Sequence, residues 1–382
     1  MREFPPTQPR QLLVRGVNWL GDAVMTTPAL QRLRQKLPET HISLLTPAKL
    51  AELWAGHPSL NSVLTFGDGE SSWRVGRRLR AAAFDAALVL PNSPRSALDV
   101  WLAGIPRRVG YARALRNWLL TEALPPRPDR LKMKKRSIRE IHRVSTEPTG
   151  AGVAPAPKAG PAHQIYEYLH LVAETFGALA EPLAPLLGIR PEEVEQSWTK
   201  FDMARPPGRP VICVAPGAEY GPAKRWPSES FITSIKLVQL QHECFWVLLG
   251  AKNDAPAAAA IQSAGVVSAA LLRNLVGQTS LRELMGILAR GSVLLANDSG
   301  TAHVAAALGV PAVVPFGSTS PEITAPGLPG EGRHHLLRGS APCAPCFRRE
   351  CPIDFRCMTS IPAERVADAL LQILALPGAV RV

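Results

Sequence analysis

The chain has 382 residues, too many for one ordinary core at ~150 residues per domain, and 46% are apolar against 19% charged, which excludes a wholly disordered polymer. Lysine plus arginine is 43 and aspartate plus glutamate 31, a net charge of +12 that favours anionic partners such as nucleotides, nucleic acid or a phosphorylated membrane surface. Gly309, Pro311 and Pro315 divide the longest apolar run, which excludes a spanning helix, and the first residues, MREFPPTQPRQLLVRG, lack the apolar core of a signal peptide, so a cytoplasmic location is expected.

In chain order, QLLVRG predicts a strand, VNWLGD a turn-rich loop and AVMTTPALQRLRQKL a helix. HISLLTP, VLTF, AALVLP and RRVGY read as further strands between helical stretches such as residues 72–83. Between Arg74 and Arg143 there are 17 basic and 5 acidic residues, so the whole positive excess lies there. Residues 127–161 hold the run KMKKRSIREIHR and then TEPTGAGVAPAPKAGPA, which reads as a basic, Pro/Gly-rich mobile insertion. Helical segments over 166–205 suggest an interdomain linker. After ARPPGRP the alternation restarts: strand VICVAPGA, a helix over 228–241, strand CFWVLLG, a helix near 255–264, LRNLVG, helix SLRELMGILARG, strand SVLLANDSG, helix TAHVAAALG and strand AVVPFG. Such alternation predicts an α/β fold with two Rossmann-like domains, their mainly parallel sheets facing a central cleft, with ligands at the carboxyl ends of the strands. The expected boundaries are 1–165, 206–360, and a C-terminal helix over 361–382.

Three strand-end loops carry chemistry. In VLLANDSGTAHVAAALG an apolar strand runs through Asn297, Asp298, Ser299 and Gly300 into a helix, so the N–H groups of Ser299, Gly300 and Thr301 form an anion site; Asp298 or Ser299 acting only as the helix cap is the plainer alternative. His303 falls in the first helical turn. The second loop, APGAEYGPAKRWP, brings Lys224 and Arg225 to the same strand ends, either to neutralise a diphosphate leaving group or as a solvated pair before a helix. In the third, RGVNWLGDAVMTTP, Asp22 stands near a helix start, as a general base or as a partner of the helix dipole. The spacing of Gly16 and Gly21 is not a dinucleotide fingerprint, which argues against an oxidoreductase.

Together, VRGVNWLGDAVMTTPAL, PGAEYGPAKRWP and NDSGTAHVAAALGVP resemble the ADP-heptose:lipopolysaccharide heptosyltransferases, most closely type II, over nearly the whole chain. That resemblance implies the GT-B fold, an N-terminal acceptor domain and a C-terminal ADP-sugar domain. It implies inverting, metal-independent transfer from ADP-L-glycero-D-manno-heptose to the first heptose of an inner core carrying Kdo and lipid A. By motif, Asp22 matches the catalytic base, Lys224 the residue facing the diphosphate, and Asp298, Ser299, Gly300 and His303 the donor-phosphate loop; Gly217, Asn297 and Thr301, in the same loops, are further donor-binding candidates. Asp254, in LLGAKNDAPA, is the candidate for the ribose. Asn18, Arg77, Arg107 and Arg108 are assigned to the acceptor, and Arg77, Arg78, Arg107, Arg108 and the 132–136 run also to peripheral contact with the inner membrane's cytoplasmic face; a merely solvated charged face is the alternative. No catalytic cofactor and no nucleic-acid partner are expected.

Cys343, Cys346, Cys351 and Cys357, spaced C-x2-C-x4-C-x5-C, suggest a structural zinc site, with an iron–sulfur cluster or free thiols as alternatives. Competing functions are ADP-heptose transfer to another acceptor, including first-heptose addition or a protein, and a basic non-enzymatic binder of membrane or nucleic acid.

Overall fold

A computed structural model of the protein describes residues 8–131, 133–146, 160–203 and 208–377. Lys132, residues 147–159 of the expected insertion, residues 204–207 of the expected linker and residues 378–382 of the expected C-terminal helix lie outside that description. The chain divides into two compact units, Met1–Arg130 with Gln164–Gly188, and Leu131–His163 with Ile189–Val382. Each is built on a six-stranded sheet in which every described ladder is parallel.

The first sheet comprises β1 (Gln11–Arg15), β2 (His41–Pro47), β3 (Ser62–Phe66), β4 (Ala86–Val89), β5 (Arg107–Tyr111) and β6 (Glu122–Leu124), in the order β3-β2-β1-β4-β5-β6. β1 lies between β2 and β4, with Leu12 opposite Ile42 and Ala86, and its apolar residues are fully buried, as a strand covered on both faces must be. Helix α1 (Leu20–Lys36) contains Pro28, which cannot donate to the carbonyl of Val24. The Thr27 hydroxyl donates to that carbonyl at 2.8 Å, so the helix continues through the proline. Helices α2 (Ser72–Arg80) and α3 (Pro94–Leu102) start at serine caps, Ser71 and Ser93.

The second sheet comprises β7 (Val211–Ala215), β8 (Phe245–Leu248), β9 (Leu272–Asn274), β10 (Val293–Ala296), β11 (Ala312–Phe316) and β12 (His335–Arg338), in the order β12-β11-β10-β7-β8-β9. β10 pairs β7 with Val293 opposite Ile212 and Ala296 opposite Ala215. Part of the expected mobile insertion is instead an ordered arm of this unit: α4 (Ile138–Ser145) is capped by Ser137 and buries Ile141. The expected linker divides, because α5 (Ile165–Phe176) packs on α1 in the first unit whereas α6 (Pro191–Lys200) packs on α9 (Leu281–Ala289) in the second. The remaining helices are α7 (Ser228–Gln241), α8 (Ala255–Ser263), α10 (Gly300–Ala307), the single turns α11 (Pro321–Thr324) and α12 (Arg356–Thr359), and α13 (Ala363–Leu374). No described helix is long and apolar enough to cross a membrane.

Candidate active site

In the second sheet the strand order reverses between β10 and β7, and loops leaving the carboxyl ends of strands at such a switch point diverge and open a crevice. Lys224, in the loop after β7, and Asp298, after β10, meet there. Nζ of Lys224 donates to Oδ2 of Asp298 at 2.6 Å and to its main-chain oxygen at 3.3 Å. The side chains are 12% and 4% exposed, so the pair is largely shielded from water. From the loop after β11, the Thr319 hydroxyl donates to the same Oδ2 at 2.6 Å. An ammonium has three N–H donors; Asp298 takes two and leaves one for another acceptor. The ring of Tyr220 lies 5.0 Å from Nζ.

Asn297 fixes the geometry. Fully buried, it accepts from the Trp226 amide at 2.9 Å and donates to Pro216 O at 2.7 Å, tying the end of β10 to the lysine loop. Asp254 ties in the loop after β8: its Oδ2 accepts from the Ala251 amide at 3.0 Å and its Oδ1 lies 3.5 Å from Arg225. That carboxylate rests against Gly217, where a Cβ would fall 2.1 Å from its atoms, so only glycine fits.

Ser299 is the N-cap of α10. Whereas Ser71, Ser93, Ser137 and Ser280 each accept from their helix's first turn, Ser299 makes no cap bond and its Oγ is buried without a partner among the described residues. Asp298 does not cap either, its carboxylate being held by Lys224 and Thr319. The amide groups of Gly300 and Thr301 thus begin a helix with no side-chain cap beside a buried ammonium, a combination suited to a phosphate. His303 is buried in the first turn, and burial, opposed by the charge of Asp298, lowers it to about 4. At neutral pH it carries no charge.

In the first unit, Asp22 lies in the first turn of α1, beyond the carboxyl end of β1 and so at that sheet's own switch point between β1 and β4. Oδ1 of Asp22 accepts from Nε2 of Gln164 at 3.4 Å, and the same nitrogen donates to the Tyr168 hydroxyl at 2.8 Å. Burial, and secondarily the Asp22 charge, raises the Tyr168 phenol well above its ordinary value. Asn18, in the same loop, accepts from Arg15 at 3.3 Å, and Arg15 is buried against Asp99 at 3.1 Å.

The other proposed acceptor residues do not join them. Arg107 and Arg108 open β5, at the opposite edge of the sheet. Arg107 is paired with Glu122 at 2.7 Å, and Arg108 donates to the carbonyls of Leu119 and Ile105. Arg77 stands on the last turn of α2, whose chain leads back to the start of β4. Sequence reasoning missed Thr319, Tyr220, Gln164 and Tyr168; only the last two left a signal, a polar pair four residues apart on a helix.

The structure lends no support to the zinc centre expected at the four cysteines. All four are free, and among the described residues no three His, Cys, Asp or Glu side chains are placed to hold a metal ion. The segment spends its polar groups on main-chain ties: the Cys346 and Phe347 amides donate to Ser318 O, the Tyr220 hydroxyl to Phe347 O, and the Ala223 amide to Arg349 O. Cys357 lies on α12, its sulfur beside Gly317, and burial, with the neighbouring Cys343, Cys351 and Cys346 adding to it, pushes its thiol up to about 12. The segment also holds the basic arm, since Arg136 N donates to Cys346 O at 3.0 Å and Arg356 to Ser145 O at 3.1 Å.

Comparison with known proteins places these features. The profile of glycosyltransferase family 9 (heptosyltransferase) matches residues 72–138 and 153–355. Lipopolysaccharide heptosyltransferase 2 of Escherichia coli (strain K12) is 32% identical over 325 residues, 83% of this chain and 85% of the relative. The structure of E. coli ADP-heptose lps heptosyltransferase II superposes with a TM-score of 0.72 at 26% identity, covering 95% of this chain and 98% of that one. E. coli heptosyltransferase WaaC with ADP-2-deoxy-2-fluoro heptose shares the fold, with a TM-score of 0.63 at 17% identity over 95% of this chain and 99% of that one.

Proposed function

The chain belongs to glycosyltransferase family 9, the heptosyltransferases, and is an enzyme of sugar transfer; on that premise we propose that it moves heptose from ADP-L-glycero-D-manno-heptose to the first heptose of the lipopolysaccharide inner core, Hep-Kdo2-lipid A. The single observation that carries this reading is the buried Lys224–Asp298 pair at the start of uncapped α10, read beside the kinship with lipopolysaccharide heptosyltransferase 2. As the bond from the anomeric carbon to the β-phosphate lengthens, negative charge grows on the leaving ADP. Lys224's remaining N–H and the first-turn amides of α10 receive that charge in a shielded site, where preformed donors are worth most. Asp298, Thr319 and Asn297 are positioning residues: a carboxylate turned to the diphosphate would repel it, so Asp298 acts by aiming the ammonium. Asp254 is assigned to the ribose.

Asp22, carried by the first unit, removes the proton from the attacking heptose hydroxyl as the new C–O bond forms on the face opposite to ADP, giving inversion. The electrostatic work falls to Lys224 and the helix start, without a divalent cation. The acceptor is an anionic glycolipid, so the enzyme works in the cytoplasm at the inner membrane's surface. Of the basic residues first assigned to the acceptor, Arg107 is committed to Glu122 and Arg108 to carbonyls, so Asn18, beside Asp22's loop, is the retained acceptor contact.

Incubation with ADP-heptose and either Kdo2-lipid A or its heptosylated form tests the reading. Transfer only to the heptosylated acceptor is expected. Transfer to Kdo2-lipid A alone overturns the acceptor assignment, and transfer to neither overturns the substrate pair.

A further inference from the structure

The first unit exposes three tryptophans among its arginines. Trp73 is 59% exposed, Trp101 41% and Trp118 68%, with Leu115 80% exposed close by in sequence. The helices that carry Trp73 and Trp101, α2 and α3, pack on each other. The backbone of α2 meets the end of α3 where Gly76 lies so close to Leu102 that a Cβ would fall 2.6 Å from that residue's own, and Arg80 donates to Leu102 O at 2.9 Å. One turn before Gly76 stands Trp73, under the Arg77 guanidinium at 5.0 Å; one residue before Leu102 stands Trp101, edge-on to Trp118 at 5.9 Å.

Residues 72–118 contain nine arginines, no lysine and two carboxylates. Both carboxylates are spent elsewhere, Asp85 on the Arg10 and Gln11 amides and Asp99 on Arg15. Exposed Arg74 and Arg77 form no ion pair among the described residues. Unpaired guanidinium groups next to exposed indoles match one environment closely: the headgroup layer of an anionic bilayer, where the indole's polar edge stays wet, its ring meets acyl chains, and guanidinium binds lipid phosphate.

We propose that this surface, with Trp73, Trp101 and Trp118 as anchors and Arg74 and Arg77 as phosphate contacts, docks the enzyme on an anionic lipid bilayer. The proposal rests on the reading of the acceptor as a membrane glycolipid and names the surface that reaches the membrane. The anchors at the end of α3 lie at the sheet edge opposite Asp22, so sugars standing above the headgroups, and not acyl chains, reach the base.

The test is sedimentation of the full chain with vesicles of phosphatidylglycerol and phosphatidylethanolamine, against phosphatidylcholine alone. The wild type binds the anionic vesicles, releases as salt rises, and shows a blue-shifted tryptophan emission. Replacing Trp73, Trp101 and Trp118 together by serine abolishes the emission shift and lowers partitioning at least about tenfold, while transfer to a deacylated, water-soluble acceptor is unchanged. Should that variant misfold, R74E/R77E carries the test, with a loss of roughly fivefold for each positive charge removed. Equal binding to both vesicle types, or undiminished anionic binding by both variants, overturns the proposal. So does dissociation of an oligomer by the tryptophan variant, which would make the patch a contact between copies. A wild type that transfers nothing to the soluble acceptor yet binds anionic vesicles overturns the functional reading and leaves the docking surface standing.

Discussion

Replacing Lys224 by methionine keeps the stem of the side chain and removes its ammonium, charge and N–H donors together. Two effects follow, and they separate. Asp298, 4% exposed, loses its ammonium and keeps one donor, the Thr319 hydroxyl. Stranding one member of a buried pair costs about 3 kcal/mol, which at roughly 2–4 °C for each kcal/mol in a unit of this size lowers the melting temperature by about 6–12 °C. The second effect is on transfer. The ammonium offers the leaving diphosphate one charge-assisted hydrogen bond, and losing such a donor costs about 2.7–4 kcal/mol in the transition state, a fall of about 10²–10³ in kcat. ADP binding weakens less, because the helix amides remain. The double variant K224M/D298N discriminates: removing the stranded carboxylate returns most of the melting temperature, while transfer stays down. Differential scanning fluorimetry and a coupled ADP-release assay read the two effects. If K224M keeps kcat within threefold, or if the double variant regains activity along with stability, Lys224 is a structural cation and the account of leaving-group stabilisation is wrong.

Asp22→Asn should cut transfer by about 10²–10⁴ and leave ADP affinity, measured by calorimetry, nearly unchanged; losing both together would remove Asp22 from the role of base. Gly217→Ala drives a methyl into the Asp254 carboxylate, so ADP should bind more weakly with the fold intact, and unaltered affinity would detach Asp254 from the nucleotide. His163, His303 and His334 are each lowered by burial from 6.5 to about 4. Their folded forms hold fewer protons than the unfolded chain between those values, so their contribution is complete above about pH 6.5 and is lost as pH falls towards 4. The melting temperature should drop by at least about 5 °C between pH 7 and 5, and a flat profile would contradict the burial of these imidazoles.

What could be read in advance followed from local pattern. Strands such as β7 and β10 announce themselves as apolar runs ending in glycine or Asn-Asp, and α7 was placed at its observed ends because Pro227 and His242 punctuate a helical period. Pairing was not legible. Lys224 and Asp298 are 74 positions apart, and nothing in either loop states that they meet; sheet order decides it. Thr319 follows a strand with no motif around it. The arginines of β5 looked available as a doublet, but a doublet does not reveal Glu122 or the carbonyls that the returning chain presents to it. The basic arm misled for a similar reason: its charge suggested solvent, whereas its order comes from carbonyls and guanidinium groups contributed two hundred residues later. Cysteine spacing permits a metal site without requiring one.

The chain's path through the two units has its own consequence. It leaves the first unit after Arg130, returns at Gln164, and leaves for good after Gly188. Neither unit is therefore one continuous stretch of gene. During synthesis the first sheet is finished before α5, which covers α1, has been made, and the arm around α4 must wait for Cys346 and Arg356 before its hydrogen bonds can close. Exchanging halves with a relative at a single junction will always orphan one piece. A cut at 163 strands α5 with the wrong parent, and a cut at 188 carries the arm away from the loop that holds it, so a working hybrid needs all three crossings respected at once.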